Sequence, residues 1–201
     1  MSEVDLFDWG HPTKGVSEPK GVSERTKYLW ALMGNEWLSF AGPIPKFSLD
    51  VGAASFDRKH CSVSLDPFPR GYVDVRSLGE SLPFKNGIFR SVVLTSVLKH
   101  VLDPVCVLSE CFRVLQYGGC LYLTSPINEI DVHRHSFTFR ELCNMIEDRG
   151  FRILRTRVIG LKYSRLARRL WKYVPEMFAK FPMPSFLGNV LFLVAKRRSE
   201  D

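Results

Sequence analysis

Two carboxylates end strand-like runs in the first third of the chain. Asp50 belongs to Phe47-Ser48-Leu49-Asp50-Val51, which closes on Gly52 with Ala53 and Ala54 following. A strand that ends in Asp-x-Gly and small residues lets the backbone approach a ligand closely. Asp66 lies 16 residues later, at the end of Cys61–Leu65. There a carboxylate could accept hydrogen bonds from a ribose diol, or simply form an Asp-Pro turn with Pro67. Three histidines, His100, His133 and His135, are candidate general bases, because an imidazole titrates near neutrality. A packing role competes with that reading, most strongly for His100. The five cysteines include no CxxC pair, so they read as buried thiols of a reducing compartment. Cys and His never cluster at metal-ligand spacing, and no metal is expected.

The elements that must position these groups alternate. Strand-like runs at 47–51, 61–65, 72–75, 88–95, 120–124, 151–159 and 189–195 are separated by helical patterns. The clearest helix has Asp103 as N-cap and Pro104 in its first turn. Its apolar face would be Val105, Leu108, Phe112 and Leu115, and Gly118-Gly119 would end it. A second helix opens with Thr138 and Glu141 at capping-box spacing and stops at Gly150. Alternation of this kind implies an α/β fold with a mostly parallel sheet, helices on both faces. Ligands in such sheets bind beyond the C-terminal ends of the strands, where strand order reverses.

Charge excludes one class of partner. Of 28 Lys and Arg, eight lie in residues 151–175, which hold no acid; the remainder is nearly neutral against 21 acids. A nucleic-acid module coated with positive charge is not expected. The basic segment places Tyr163, Leu166, Leu170, Trp171, Val174 and Phe178 at helical spacing, with Arg165, Arg168, Arg169 and Lys172 opposite. It reads as a lid (163–185) packed through its apolar side with its charged side in water, with peripheral membrane contact through 163–181 as the alternative. Residues 1–24 read as a flexible arm that repeats Lys-Gly-Val-Ser-Glu, followed by one domain over 25–201. No secretory signal or membrane-length apolar run appears, so the expectation is a cytoplasmic protein, with peripheral membrane attachment as its variant.

From about Leu49 to Gly150 the chain resembles the class I S-adenosyl-L-methionine (SAM)-dependent methyltransferases, specifically the type-11 group in a short-loop variant. The resemblance rests on five phrases in family order. They are Leu49-Asp50-Val51-Gly52; Leu82-Pro83-Phe84 with Phe89; Val97 to Pro104; Arg113-Val114-Leu115 with Gly118-Gly119; and His135-Ser136-Phe137-Thr138 with Glu141-Leu142. It implies a Rossmann-like sheet of seven strands whose first crossover helix is short or missing. It also implies SAM as cofactor and methyl transfer to a small-molecule or lipid-like acceptor. Mapped onto this chain, Asp50, Gly52, Ala53 and Ala54 would lie by the methionine half and Asp66 by the ribose. Asp74 or the Leu78–Gly79 backbone would face the adenine, and Thr95 and Ser96 would flank the sulfonium. A non-catalytic member retained as an interaction module is the competing class, motivated by the glycine-poor loop.

Overall fold

The structure, a computed structural model, describes residues 37, 39–53, 61–68, 72–127, 134–160 and 189–198. The chain divides into a unit of residues 1–36 and a unit of 37–201, and all described residues belong to the second. The 1–24 arm, Ala54, His133 and the 163–185 segment lie outside the described residues.

Six strands form one sheet: β1 (Ser48–Val51), β2 (Val63–Leu65), β3 (Phe89–Thr95), β4 (Leu115–Ile127), β5 (Phe151–Gly160) and β6 (Asn189–Arg197). Their order is β2-β1-β3-β4-β6-β5. The first four pair parallel, and β6 runs antiparallel between β4 and β5. The expected run at 72–75 is reduced to a single parallel bridge, Leu65 to Val75, so among the described residues the sheet has six strands and a vestige of the seventh. Only a short crossover joins Val51 to Val63; most of it, residues 54–60, lies outside the described residues. Among the described residues no helix is long and apolar enough to cross a membrane.

Side chains on register-paired positions share a face. Leu49, Val92, Leu121 and Ala195 form one row and Val51, Leu94, Leu123 and Leu193 the next, all buried in one core. Two helices cover this face: α1 (Pro104–Val114) and α2 (Phe139–Glu147). Both start as their sequences dictate. Asp103 Oδ1 accepts hydrogen bonds from Val105 N at 2.8 Å and Cys106 N at 3.0 Å. Thr138 and Glu141 form the complete capping box. The helical residues Trp37 and 39–41 pack on the opposite face through Tyr122 and Phe192.

Two expectations for α1 are corrected. Its buried positions are Pro104, Val107, Leu108, Cys111 and Val114, while Val105 is 36% exposed because it faces outward at the first turn. The helix ends at Val114 rather than at Gly118. The reason lies some 80 residues away: Arg197 Nη1 donates to the carbonyls of Phe112, Arg113 and Leu115 at 2.7, 3.3 and 2.5 Å. Its guanidinium is sandwiched between the Phe112 and Tyr117 rings. This side chain caps the helix and lets Leu115 enter β4 directly. Gly118 and Gly119 serve the strand instead, at the register shift between Phe89 and Ser91. A Cβ on Gly119 would meet the Gln116 and Arg90 carbonyl oxygens at 2.9 and 3.0 Å.

Candidate functional site

Strand order reverses at β1, whose neighbours are β2 and β3, so the C-terminal ends of these strands define the crevice. There the fold gathers Gly52 and Ala53, Asp66, Thr95 and Ser96. Gly52 has φ +74°, and a Cβ at that position would sit 2.5 Å from Val97 Cγ2. Glycine is therefore required by the Val97 side chain after β3, whatever binds nearby. The amides of Gly52 and Ala53 both donate to the Leu65 carbonyl, at 2.8 and 3.1 Å. They lock the β1 end to the β2 end. Ser96 is one of two non-glycine residues with positive φ among the described residues, and its N–H donates to the Thr124 carbonyl at 2.8 Å. Left-handed backbone at a serine marks the end of β3 as a constrained position.

Asp50 is fully buried and lies on the face away from α1 and α2, in register with Val93 and Tyr122. Asp66 stands half-buried at the end of β2 and accepts the Phe68 amide at 2.8 Å through Oδ1, which is the turn its sequence suggested. A carboxylate has capacity for further donors, so the turn and a diol are compatible. Asp74 stands apart from this group. Its Oδ2 accepts from both the amide and hydroxyl of Ser64, at 2.7 and 2.6 Å, and the Asp74 amide donates back to Ser64 Oγ at 3.1 Å. The Ser64 hydroxyl holds its carboxyl below the usual carboxylate range despite partial desolvation. The pair fastens the 72–75 segment to the edge of β2. Gly79 is buried against Val51 and Val107, near the crevice, whereas Leu78 is exposed.

Of the two described histidines, His135 is held by its neighbours. His135 Nε2 lies 3.0 Å from the Val101 carbonyl and must carry the proton there, since a carbonyl only accepts. Its ring stacks on Phe137 and its amide donates to the Lys99 carbonyl. His100 is exposed and its amide closes a turn onto Val97. Burial pushes the thiols of Cys106, Cys111, Cys120 and Cys143 up, so none is a poised nucleophile. No cluster of three metal-ligating side chains occurs among the described residues.

Sequence reasoning missed a network that ties the last turn of α1 to the loop before β3, at the N-terminal edge of the sheet. Arg113 Nε and Nη2 bind the two oxygens of Glu110 at 2.6 and 2.7 Å. The same guanidinium donates to the Leu82 and Phe84 carbonyls and to Asn86, while Glu110 accepts the Leu82 amide at 2.8 Å. Leu82-Pro83-Phe84 is thus bolted to α1, which links two phrases of the family resemblance through one ion pair. Glu80 in turn accepts the Leu102 amide at 2.9 Å. Their i, i+3 spacing on one helix was the available signal for Glu110 and Arg113; their loop partners left none.

Comparison with known proteins agrees with this geometry. Residues 59–123 match a family model described as a methyltransferase domain. The chain is 32% identical over 107 aligned positions to a ubiquinone biosynthesis O-methyltransferase of Psychrobacter arcticus, covering 42% of this chain and 40% of that protein. It is 32% identical over 78 positions to a mitochondrial 2-methoxy-6-polyprenyl-1,4-benzoquinol methylase of Leishmania donovani, covering 34% of this chain and 27% of that one. The chain therefore spans well under half the length of the curated relatives it matches. A solved SAM-dependent methyltransferase of Thermotoga maritima superposes with TM-score 0.60 at 16% identity, over 87% of this chain and 96% of that one; at that identity the likeness concerns the fold.

Proposed function

We propose that this chain, which carries the class I methyltransferase fold and a type-11 methyltransferase domain, transfers a methyl group from SAM to a small-molecule acceptor. The observation that carries the proposal is the convergence of Asp66, the constrained Ser96 and the β1 turn at the strand-order reversal. The residues present fit the cofactor's polar parts. Asp66 would hold the ribose hydroxyls, Gly79 would line the base, Asp50 and the Gly52–Ala53 turn would flank the methionine portion, and Thr95 and Ser96 the sulfur. Bound SAM supplies a methyl carbon activated on sulfonium, so the protein's task is to align donor and acceptor and to exclude water. The names of the curated relatives support a small-molecule acceptor. The 163–185 segment as a lid, with membrane contact through 163–181 as its alternative, is part of the same proposal, as is a cytoplasmic location.

Calorimetric titration with SAM tests it. Saturable binding that Asp66→Ala weakens roughly tenfold or more is expected, the size of a lost hydrogen bond to a charged group. No binding by the wild-type chain would overturn it. The loop amides that both serve Leu65 favour a second reading, a methyltransferase-fold interaction module without turnover. Transfer of label from SAM to any acceptor eliminates that reading.

A further inference from the structure

Phe47, the residue before β1, holds a bulky side chain on left-handed backbone, with φ +63°, and is 63% exposed. Such backbone is costly for any residue with a Cβ, and an exposed ring returns little of that cost by burial. The fold does use the Phe47 backbone: its amide donates to Ser62 Oγ at 2.9 Å and its carbonyl accepts from Arg90 N at 3.0 Å. A glycine would make both bonds without strain. Folding therefore does not explain why an aromatic ring is displayed here.

A line of contacts runs from Phe47 across the end of the sheet opposite the crevice. The Arg90 guanidinium lies over the Phe47 ring, 5.9 Å from its centroid. The Arg90 carbonyl borders Gly119, and Lys196 covers the turn beside it, its Cε and Nζ 3.3 and 3.8 Å from where a Cβ on Gly118 would sit. Lys196 pairs in register with Arg152 on the edge strand β5. Tyr117, in the same turn, is exposed and stacks on Arg197. Phe47 and Tyr117 stand two strands apart, roughly 10 Å. No acid occurs in residues 42–49, 85–95, 113–127, 149–160 or 189–198, the segments that build this rim. Among the described acids next to them in the chain, Asp50 is buried, Glu110 is held by Arg113, and Glu147 and Asp148 end α2.

The sequence excludes a coat of positive charge; the fold assembles a stripe from five separate segments. Cations interleaved with exposed rings match a single-stranded nucleic acid, whose phosphates pair with the cations while its unstacked bases lie on the rings. A duplex offers no free base faces, and an acidic peptide would use the cations and leave the rings idle. We infer that this rim binds single-stranded nucleic acid, with bases stacked on the exposed sides of Phe47 and Tyr117 and phosphates held by Arg90, Lys196 and Arg152. The rim is separated from the crevice by the seven residues of β3, about 20 Å, so the inference stands apart from the methyltransferase reading.

Fluorescence anisotropy of the full chain with short fluorescein-labelled oligo(U) and oligo(dT) tests it. Binding of either strand supports the inference, and the stronger of the two names the source. Affinity should fall about twentyfold between about 50 and 200 mM salt if three phosphates are engaged. Phe47→Gly should weaken binding roughly tenfold, keep the same salt dependence, and melt no lower than wild type because it relieves the strain. Phe47→Asn, also at ease in left-handed backbone, serves if the glycine variant does not fold. Lys196→Gln should flatten the salt dependence instead. No binding by the wild-type chain at the lower salt overturns the inference, as does wild-type affinity in Phe47→Gly. Displacement of the labelled strand by oligo-glutamate or phosphatidylserine vesicles at equal charge overturns it too, by assigning the rim to polyanions in general.

Discussion

Across four strands of one sheet face, Leu49, Val92, Leu121 and Ala195 stand side by side; on the other face the adjacent row is Ser48, Ser91, Cys120 and Lys196. In the next rows the contrast narrows to Asp50. Val51, Leu94, Leu123 and Leu193 share one side, and Asp50, Val93, Tyr122 and Val194 the other. Both faces are buried over the central strands, so exposure does not explain the difference. The apolar face closes on α1 and α2 and carries stability by area and packing. The second face buries a carboxylate and hydroxyls that no hydrophobic argument favours, and it leads to the crevice. Chemistry and stability are divided between the two sides of the same strands.

That division predicts very different responses to truncation. Leu94→Ala, at a fully buried site of the apolar face, should cost about 2–5 kcal/mol in urea unfolding. A loss under about 1 kcal/mol would mean that the apolar face is not where the fold is held.

A smaller loss should follow at the bolt between α1 and the Leu82–Phe84 loop. Glu110→Ala strips the Arg113 guanidinium of two bonds and leaves the Leu82 amide without its acceptor. A loss of about 2–3 kcal/mol is expected. Glu110→Gln isolates the charge. Hydrogen bonding by Arg113 lowers the Glu110 carboxyl below its ordinary value. Its stabilisation is therefore complete above the unfolded value, near pH 4, and is lost as pH falls through the lower folded value. Wild-type unfolding followed downward from pH 5 should show that loss, and the glutamine variant should lack it. Identical slopes would assign the acid sensitivity to other carboxylates.

At the crevice itself, Gly52→Ala forces a left-handed backbone on alanine and a Cβ into Val97. The backbone alone costs about 1–2 kcal/mol. Val97→Ala in the same chain should return part of the loss, because it removes the colliding methyls. Strict additivity of the two substitutions would show that the contact is not what demands glycine.

How far the sequence reveals this arrangement depends on whether the signal is local. Asp103-Pro104 and Thr138 with Glu141 identify both helix starts, since caps act within one turn. The end of α1 is not readable nearby, because its cap is Arg197 of the last strand. Apolar, β-rich runs locate β1 to β6, yet 72–75 keeps only the Val75 bridge; its Asp74 is spent on Ser64. Among site residues, Gly52, Asp66 and Ser96 follow from their places at strand ends. His135 looked chemical in isolation, but its ring is held by Val101 and Phe137.

The smallest effect tests the contrast most directly. Ser91 is fully buried in the middle of β3, on the polar face, and like Thr124 its hydroxyl has no hydrogen-bond partner among the described residues. It stands two rows from Thr124, between Ser48 and Cys120, towards the N-terminal ends and away from the crevice. If the polar face were polar for stability, Ser91→Ala would cost a hydrogen bond, about 1 kcal/mol. If its polarity serves the ligand end only, removing this hydroxyl relieves an unsatisfied group, and the variant should unfold within about 0.5 kcal/mol of wild type or slightly above it. SAM affinity should be unchanged in the same protein. A loss of about 1 kcal/mol or more would reverse the assignment and make the hydroxyl row part of the fold's support.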